Sequence, residues 1–264
     1  MSAAELGALT ADIAHEAGDL ARRRRAEGVS LAATKSTLAD IVTEADREVE
    51  RLIRDRLRAE RPDDGFLGEE TGAAHSASGL TWVVDPIDGT VNYASGIATY
   101  SVSIAVVEGE PHPDRWQGVA SAVYAPALGE LFTAVRGEGA WLGDARLAVT
   151  TETPAGALLG TGFGYDPATH DGDLATVRRV MSMARDLRRM GSAAIDLSYV
   201  AAGRLDGFFE RGLNPWDFAA GALLVQEAGG TVTRLEVESA RPMLIAGGPG
   251  VHERLRALIA DGAG

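Results

Sequence analysis

Six acidic residues stand at the predicted ends of strands and helices, and their side chains are the most promising chemical groups in the chain. They are Asp46, Glu69, Glu70, Asp85, Asp88 and Asp217. Carboxylate oxygens are hard donors that suit Mg²⁺, Mn²⁺ or Ca²⁺ better than zinc or copper. If the six residues cluster in the folded chain, they predict a site for divalent cations, and those cations would attract an anion.

The segment 85–90 combines several of these features, because Asp-Pro-Ile-Asp-Gly-Thr directly follows an apolar strand. Pro86 keeps Asp85 extended and stiffens the turn. Gly89 lets the backbone come close to a ligand, and Thr90 begins a helix whose free N–H groups can hold a phosphate. The segment therefore predicts a phosphate next to a cation site.

Each aspartate also has a purely structural explanation. Asp85 and Asp88 could cap a turn and the helix after it. Asp46 occupies the third position of a helix that begins after Thr43, which is a capping box, and Asp217 precedes an apolar stretch as a natural N-cap. The functional interpretation therefore depends on the whole set and not on any single carboxylate.

A different phosphatase chemistry has to be considered for the same segment. Haloacid-dehalogenase-like phosphatases place Asp-x-Asp-Gly-Thr after an apolar strand and form a covalent aspartyl-phosphate. Carboxylates two residues apart lie on one face of an extended strand, as a nucleophile and its acid/base partner require. Asp85 and Asp88 are three residues apart. The spacing and the intervening Pro86 therefore argue against a covalent phosphoenzyme.

The composition is that of a globular protein and excludes several chemistries. The chain has 264 residues, of which 45% are hydrophobic and 24% charged, and it has no cysteine. Disulfides, thiol catalysis and zinc–thiolate sites are therefore excluded. We expect one or two domains, and no membrane span, because no apolar run approaches the roughly 20 residues that a bilayer requires. The N-terminus lacks a signal-peptide pattern, so we expect a cytoplasmic protein.

The net charge of −13 argues against direct binding to nucleic acid, which depends on Lys and Arg neutralising phosphates. The basic run Arg22–Arg25 lies near the end of the first predicted helix. We expect it to complement the helix dipole and remain solvated.

Hydrophobic periodicity and turn residues predict the elements that position the carboxylates. Helices are predicted at 3–26, 43–58, near 172–185, 192–203 and 217–228. Strands are predicted at 66–67, 82–84, 100–107, 118–124, 130–135, 157–161 and 205–210. Residues 71–80 are expected to form a mobile loop, and 150–154 are placed between two lobes. Strands and helices alternate after that boundary, which is typical of an α/β fold.

Four blocks of sequence, in order, resemble the inositol monophosphatase family over nearly the whole chain, and bacterial members most closely. They are 40–46 (Asp-Ile-Val-Thr-Glu-Ala-Asp), 67–70 (Leu-Gly-Glu-Glu), 82–93 around the Asp-Pro-Ile-Asp-Gly-Thr segment, and 216–221 (Trp-Asp-Phe-Ala-Ala-Gly). The resemblance implies a layered αβαβα sandwich of the inositol monophosphatase and fructose-1,6-bisphosphatase type. It also implies an N-terminal α+β lobe over 1–150, which carries most metal ligands, and a C-terminal α/β lobe over 151–264 within one structural unit.

The same resemblance implies a Mg²⁺ site with two ions and possible room for a third. The ligands implied for the first ion are Glu69, Asp85 and the carbonyl of Ile87. Those implied for the second are Asp85, Asp88 and Asp217, and a further weak site is implied near Glu69 and Glu70. Two such ions clamp the attacking and leaving oxygens of an in-line displacement.

Catalytic roles also follow from the resemblance. Thr90 would orient a water and pass its proton to Asp46. Glu70 would support the third cation, and Lys35 would neutralise part of the carboxylate cluster. A lysine in a loop is also often simply exposed, so both interpretations of Lys35 stay open.

The substrate implied by the resemblance is a small phosphate ester, with myo-inositol monophosphate first. Gly191, Ser192 and Ala193 would leave room for the ring, and Glu210 would accept hydrogen bonds from its hydroxyls. Asp88, Gly89, Thr90 and Asp217 complete the expected substrate contacts. Fructose 1,6-bisphosphate, histidinol phosphate and adenosine 3′,5′-bisphosphate remain alternatives. The sequence alone leaves Arg188, Arg189 and Arg211 open as ligands of a second phosphate.

Three further expectations concern partners and inhibitors. The family resemblance implies a homodimer and inhibition by Li⁺. A regulatory member that binds proteins in RNA metabolism is the alternative from another functional class.

Residues 110–116 look longer than a simple hairpin and are remote from every metal block, so we expect them to change a surface only.

Overall fold

The computed structural model describes residues 1–28, 31–34, 41–164, 166–237 and 240–260. Its helices are α1 (Ala3–Glu27), α2 (Glu44–Glu60), α3 (Thr90–Ser95), α4 (His170–Val180), α5 (Ala193–Ala201), α6 (Pro215–Glu227) and α7 (Pro249–Ala260). No helix of this described part is long and apolar enough to span a membrane.

The strands form a hairpin and two larger sheets. The hairpin consists of β1 (Leu31–Thr34) and β2 (Ile41–Thr43). The eight-stranded sheet contains β3 (Gly65–Gly68), β4 (Gly72–Ala74), β5 (Leu80–Asp88), β6 (Ser101–Gly109), β7 (Trp116–Ala125), β8 (Glu130–Val135), β9 (Gly139–Leu142) and β10 (Ala145–Arg146). The five-stranded sheet contains β11 (Ala157–Thr161), β12 (Ala184–Arg188), β13 (Gly207–Arg211), β14 (Thr231–Val237) and β15 (Ala240–Gly247).

The strand order places β5 inside its sheet, where it can present side chains to a site. The large sheet has the order β10-β9-β8-β7-β6-β5-β3-β4, and the small one β12-β11-β13-β15-β14. β5 runs parallel to β3 and antiparallel to β6. The small sheet is mixed, because β13 is parallel to β11 and antiparallel to β15.

Three hydrophobic cores stack the helices and sheets in five layers. α1 and α2 cover one face of the large sheet through residues such as Ile13 and Ile53. α5 and α6 lie between the two sheets, with Leu197 and Leu224 in the shared core. α4 and α7 cover the outer face of the small sheet, where Leu255 is fully buried. The predicted αβαβα sandwich is confirmed.

β5 extends further than the sequence predicted. The strand was expected to stop at Asp85, but it continues to Asp88. Its pairing with β6 is regular as far as Asp85 and Ser103 and then shifts, so that Asp88 pairs with Ser101. Pro86 has no N–H to donate to a neighbouring strand, and a bulge is where a sheet accommodates it.

The start of α6 also corrects a prediction. Asp217 was expected to be the N-cap, but the cap is Asn214, and Pro215 occupies the first turn. Proline fits there because its fixed φ suits a helix and its missing N–H would have had no helical partner. Asp217 is therefore the third helical residue, and its carboxylate accepts a hydrogen bond from the Asn214 N–H at 2.6 Å.

The other differences lie at the edges of the fold. The helix predicted near 172–185 ends at Val180, and Ala184–Arg188 forms the edge strand β12. Part of the expected loop 71–80 forms the exposed edge strand β4. Segment 110–116 links β6 to β7, and its Asp114 pairs at 2.5 Å with Arg234 of the small sheet. Edge segments expose most side chains, so their hydrophobic pattern is weak.

Candidate active site

The end of β5 opens into a cavity of about 390 Å³ that gathers most of the predicted site residues. The predicted residues that line it are Glu69, Asp85, Ile87, Asp88, Gly89, Thr90, Gly191, Ser192, Ala193, Glu210 and Asp217. Asp46 lies behind Thr90, and Glu70 lines a neighbouring surface depression. Lys35 lies outside the described residues. Residues distant in sequence therefore meet at one cavity.

Asp46 uses its two carboxylate oxygens for different purposes. Oδ2 accepts hydrogen bonds from the Thr43 N–H at 2.8 Å and from the Thr43 hydroxyl at 2.5 Å. The Asp46 N–H in turn donates to the Thr43 hydroxyl oxygen at 3.3 Å, which completes the capping box of α2. Oδ1 lies 3.3 Å from the hydroxyl oxygen of Thr90. The structural and catalytic interpretations of Asp46 are thus compatible, because each uses a different oxygen.

The Thr90 hydroxyl has one proton and two acceptors within reach. Its oxygen lies 3.0 Å from the carbonyl oxygen of Ile87 and 3.3 Å from Asp46 Oδ1. A small rotation of the hydroxyl therefore redirects its proton from the carbonyl to the carboxylate. This geometry would allow a proton to pass from Thr90 to Asp46.

Asp88 connects the two sheets through the start of α5. Its Oδ2 accepts hydrogen bonds from the Ser192 hydroxyl at 2.6 Å and from the Ala194 N–H at 2.7 Å. Burial nevertheless raises the pKa of Asp88 to about 6, with the nearby Glu69 carboxylate contributing and the two hydrogen bonds opposing. Ser192 is also the N-cap of α5, so the same residue fixes the helix and the carboxylate.

Asp85 and Asp217 complete the acidic floor of the cavity. Asp85 is only 2% exposed, and its Oδ1 accepts the Ile87 N–H at 3.1 Å. Burial raises the pKa of both aspartates well above its ordinary value, and neighbouring carboxylates raise it further. Burial also raises the pKa of Asp46 to about 6, with help from Glu69 and Glu70.

The donor set fits a hard divalent cation. Every candidate ligand is a carboxylate or a backbone carbonyl oxygen, which are the donors that Mg²⁺ prefers. The carboxylates destabilise one another, and a bound cation would relieve that repulsion. Across the described ranges, no three acidic or histidine side chains are already arranged closely enough to hold a metal ion.

Glu50 supports the turn beside the cavity and was not among the residues that the sequence indicated. It is only 1% exposed on α2, one turn after Asp46. Its carboxylate accepts the Glu70 N–H at 2.8 Å and the Thr71 hydroxyl at 2.5 Å, so it holds the turn that carries the two glutamates. The available signal was an acidic residue between Val49 and Ile53 on the apolar face of the helix.

Two constraints require glycine at position 89: the backbone conformation there and the neighbouring atoms. Its φ is +89°, in the left-handed region that glycine adopts without strain. A Cβ at this position would lie 3.0 Å from the carbonyl oxygens of Gly191 and Thr99. Any side chain would therefore push apart the two segments that meet beside the cavity.

Glu210 lies on the substrate side of the cavity. It projects from β13 over Gly162, where a Cβ would collide with its carboxyl group. Burial raises the pKa of Glu210 to about 8, and the Asp88 carboxylate adds to the effect. Burial therefore favours the protonated form of Glu210, and a protonated carboxyl can donate a hydrogen bond to a ligand as well as accept one.

Arginines from three segments also line this cavity. They are Arg189, Arg211 and Arg241, whereas Arg188 is paired with Asp186 at 2.6 Å and is not part of the lining. Of the arginines that the sequence left open, the structure thus brings Arg189 and Arg211 to the cavity and not Arg188. Nothing in the sequence indicated that Arg241 lines the cavity as well.

Comparisons with known proteins agree with this architecture. The model of the inositol monophosphatase family matches residues 4–261. The inositol-1-monophosphatase SuhB of Mycobacterium tuberculosis is 41% identical over 97% of this chain and 93% of its own length. A protein named Nus factor SuhB from Haemophilus influenzae is 41% identical over 83% of this chain and 81% of its own length.

A solved structure gives the same result for the fold. The extragenic suppressor protein SuhB of Bartonella henselae superposes with a TM-score of 0.86 at 35% identity and covers 97% of this chain and 98% of its own. The predicted family and phosphatase class are confirmed. The chain belongs to the inositol monophosphatase family.

Proposed function

We propose that the protein hydrolyses myo-inositol monophosphate to inositol and phosphate, and that it requires Mg²⁺. One observation carries the proposal: the Thr90 hydroxyl stands between the Asp46 carboxylate and the Ile87 carbonyl beside a buried set of carboxylates. That arrangement combines a proton acceptor, a hydroxyl relay and a cation site at the edge of one cavity.

Glu69, Asp85, the carbonyl of Ile87, Asp88 and Asp217 would hold the cations. When bound, Mg²⁺ would neutralise the carboxylates, activate water and stabilise the leaving oxygen. Two ions are proposed, with a third near Glu70. The support is chemical, since every donor is oxygen and burial and neighbouring carboxylates raise the pKa of the aspartates.

Thr90 and Asp46 would generate the nucleophile. Thr90 takes a proton from the attacking water while its own proton passes to Asp46 Oδ1. A pKa of about 6 leaves Asp46 mostly ionised at neutral pH and still basic enough to accept that proton. The hydroxide attacks phosphorus in line, the P–O ester bond breaks, and a water near Asp217 protonates the alkoxide. No covalent phosphoenzyme forms.

The remaining cavity residues would select the ester. Backbone N–H groups of Gly89 and Thr90 would steady the phosphate oxygens. Gly191, Ser192 and Ala193 would leave space for the ring, and the Glu210 carboxyl would hydrogen-bond its hydroxyls. The support is that all of these residues border the same cavity as Asp88 and Asp217.

Phosphate release tests the proposal. Purified protein would be assayed with and without Mg²⁺ on inositol 1-phosphate, fructose 1,6-bisphosphate, histidinol phosphate and adenosine 3′,5′-bisphosphate. We expect Mg²⁺-dependent turnover, fastest on inositol 1-phosphate, and inhibition by Li⁺. A faster ester would reassign the substrate, and no turnover on any of them would remove the enzymatic proposal.

A second role as a regulatory protein is favoured by one observation, the name Nus factor given to the Haemophilus influenzae relative. A regulatory role does not exclude an active site, but it requires a protein that binds this chain. We further propose that the protein is a cytoplasmic homodimer and that its two lobes meet at residues 150–154. Analytical ultracentrifugation of the purified chain tests the dimer.

A further inference from the structure

Two consecutive inward-facing positions at the end of β11 are occupied by glycine. Leu159 points into the outer core, so Gly160 and Gly162 face the layer that contains α5. A Cβ on Gly160 would lie 2.9 Å from Asp196 Oδ1, and a Cβ on Gly162 would collide with the Glu210 carboxyl. Alternate residues of a strand are about 7 Å apart. The missing side chains therefore leave room for two neighbouring carboxyl groups, one from α5 and one from β13.

Asp196 is buried without a hydrogen-bond partner for one of its oxygens. The residue is only 1% exposed, and its Oδ1 contacts no donor among the described residues. Burial raises the pKa of Asp196 well above its ordinary value, the Glu210 and Asp88 charges add to the effect, and Arg189 opposes it. The dipole of α5 favours an acidic side chain in its first turn, where Asp196 lies. An exposed carboxylate would serve the dipole without the cost of burial, so helix stability does not explain this residue.

Glu210 connects Asp196 to the active site. Glu210 borders the cavity, and Asp196 is not part of the lining. Burial and the Asp88 charge raise the pKa of Glu210, Asp173 adds to the effect and Arg189 opposes it, but no hydrogen bond contributes within the described part of the chain. Asp196 can therefore act on a ligand through Glu210.

Two neighbouring carboxyl groups favour a state in which one keeps its proton and donates it to the other in a hydrogen bond. Asp196 is suited to be the donor, because the Glu210 charge raises its pKa. An ionised carboxylate has about four lone-pair sites. Glu210 can thus accept a hydrogen bond from behind the cavity wall and others from a ligand. The bond from behind would hold the Glu210 side chain in place and reduce the entropy lost on binding.

We propose that Asp196 is a positioning residue for Glu210: its carboxyl group donates a hydrogen bond to Glu210, which in turn accepts hydrogen bonds from the hydroxyls of a polyol phosphate. This inference rests on the proposed function and adds a residue that determines the preference for polyol esters without touching them. The Arg189 charge, which acts on both carboxyl groups, supports the ionised form of Glu210 in this pair.

Two esters test the role of Asp196. Inositol 1-phosphate presents ring hydroxyls, and phenyl phosphate presents none. We expect Asp196→Ala to raise KM for inositol 1-phosphate about tenfold at nearly unchanged kcat, the loss typical of one hydrogen bond to a charged group. KM for phenyl phosphate should change less than about twofold. Asp196→Asn should restore most of the affinity for inositol 1-phosphate, because an amide also donates a hydrogen bond.

Ser121→Ala is the matched control, because the Ser121 hydroxyl is also buried without a partner among the described residues but lies on β7. It should leave KM for both esters unaffected. In a Glu210→Gln background, Asp196→Ala should change KM for inositol 1-phosphate less than about twofold, since a positioning residue acts through Glu210. The inference is overturned if Asp196→Ala raises KM for both esters equally, has the same effect in both backgrounds, or changes neither ester.

Calorimetric binding of inositol 1-phosphate to the same variants decides the role of Asp196 even if neither ester is hydrolysed, a result that would remove only the proposed function. Equal affinity of the wild type and Asp196→Ala would overturn the inference. Circular dichroism checks that each variant is folded. Asp196→Leu, which fills the space of the carboxyl group, takes the place of the alanine variant if that variant does not fold.

Discussion

Replacing Asp88 with Asn should stabilise the cation-free protein at neutral pH, although it removes a hydrogen-bonded, buried residue. Burial raises the pKa of Asp88 from 3.8 to about 6. The folded state therefore favours the protonated form, and stability is lost as the pH rises from about 4 to about 6. At about 1.4 kcal/mol per pKa unit, ionised Asp88 destabilises the cation-free fold by about 3 kcal/mol at pH 7.

The amide oxygen of the variant can still accept hydrogen bonds from the Ala194 N–H and the Ser192 hydroxyl. Because this acceptor is no longer charged, the bonds stabilise the fold by about 1 kcal/mol less. The net gain is about 1 to 2 kcal/mol, or a Tm about 3 to 6 °C higher for a chain of this size. Below pH 4 the carboxyl group of the wild type is protonated too, so the gain should disappear and the variant should be slightly less stable.

The assay is thermal unfolding of both proteins from pH 4 to pH 8, first in EDTA and then in Mg²⁺. With Mg²⁺ the order should reverse, because the wild type gains the cation's binding energy and Asp88→Asn does not. Turnover of the variant should be abolished. Our account of the carboxylate cluster is wrong if the variant is less stable in EDTA at pH 7.5, or if Mg²⁺ raises the Tm of both proteins equally.

Two further substitutions separate catalysis from cation binding. Thr90→Val should lower kcat about 10²- to 10⁴-fold, because it removes the hydroxyl relay. The rise in Tm that Mg²⁺ causes should stay unchanged. Thr90→Ser should retain most activity, and an active Thr90→Val protein would refute the relay. Glu50→Gln should weaken Mg²⁺ binding about tenfold by calorimetry, because a neutral amide holds the Glu70 N–H and the Thr71 hydroxyl less strongly than the carboxylate does. Glu48→Gln on the same helix, where Glu48 pairs with Arg24, is the control, and equal Mg²⁺ affinity in all three proteins would show that Glu50 is merely structural.

Short-range features of the site were predictable from sequence. The capping box of Thr43 and Asp46 depends on two residues that are three positions apart. The turn in segment 85–90 depends on a proline and a glycine within that segment. Their local spacing is preserved in the fold, apart from the extension of β5 across Pro86. The layered architecture followed from the family resemblance, and α2 from the periodicity of its apolar residues, whereas α5 and α6 are buried on most sides.

Long-range contacts were not predictable in the same way. Glu50 meets Glu70 and Thr71 because α2 packs beside the turn after β3. An acidic residue on the apolar face of α2 signals a buried polar contact, but the sequence does not indicate its partners. Arg241 reaches the cavity only because β15 pairs with β13. The exposed strands β4 and β12 have too few buried side chains to give an alternating pattern.

The helical layer between the two sheets has a consequence for synthesis of the chain. The inner face of the large sheet, which includes Val83 and Val123, is covered by α5 and α6. The last strand of that sheet ends at Arg146, whereas α6 ends at Glu227. At about 5 to 20 residues per second, the ribosome adds the missing helices on the order of ten seconds later. During that interval the nascent sheet presents a bare apolar face, and a chaperone that shields it would improve the yield of native protein.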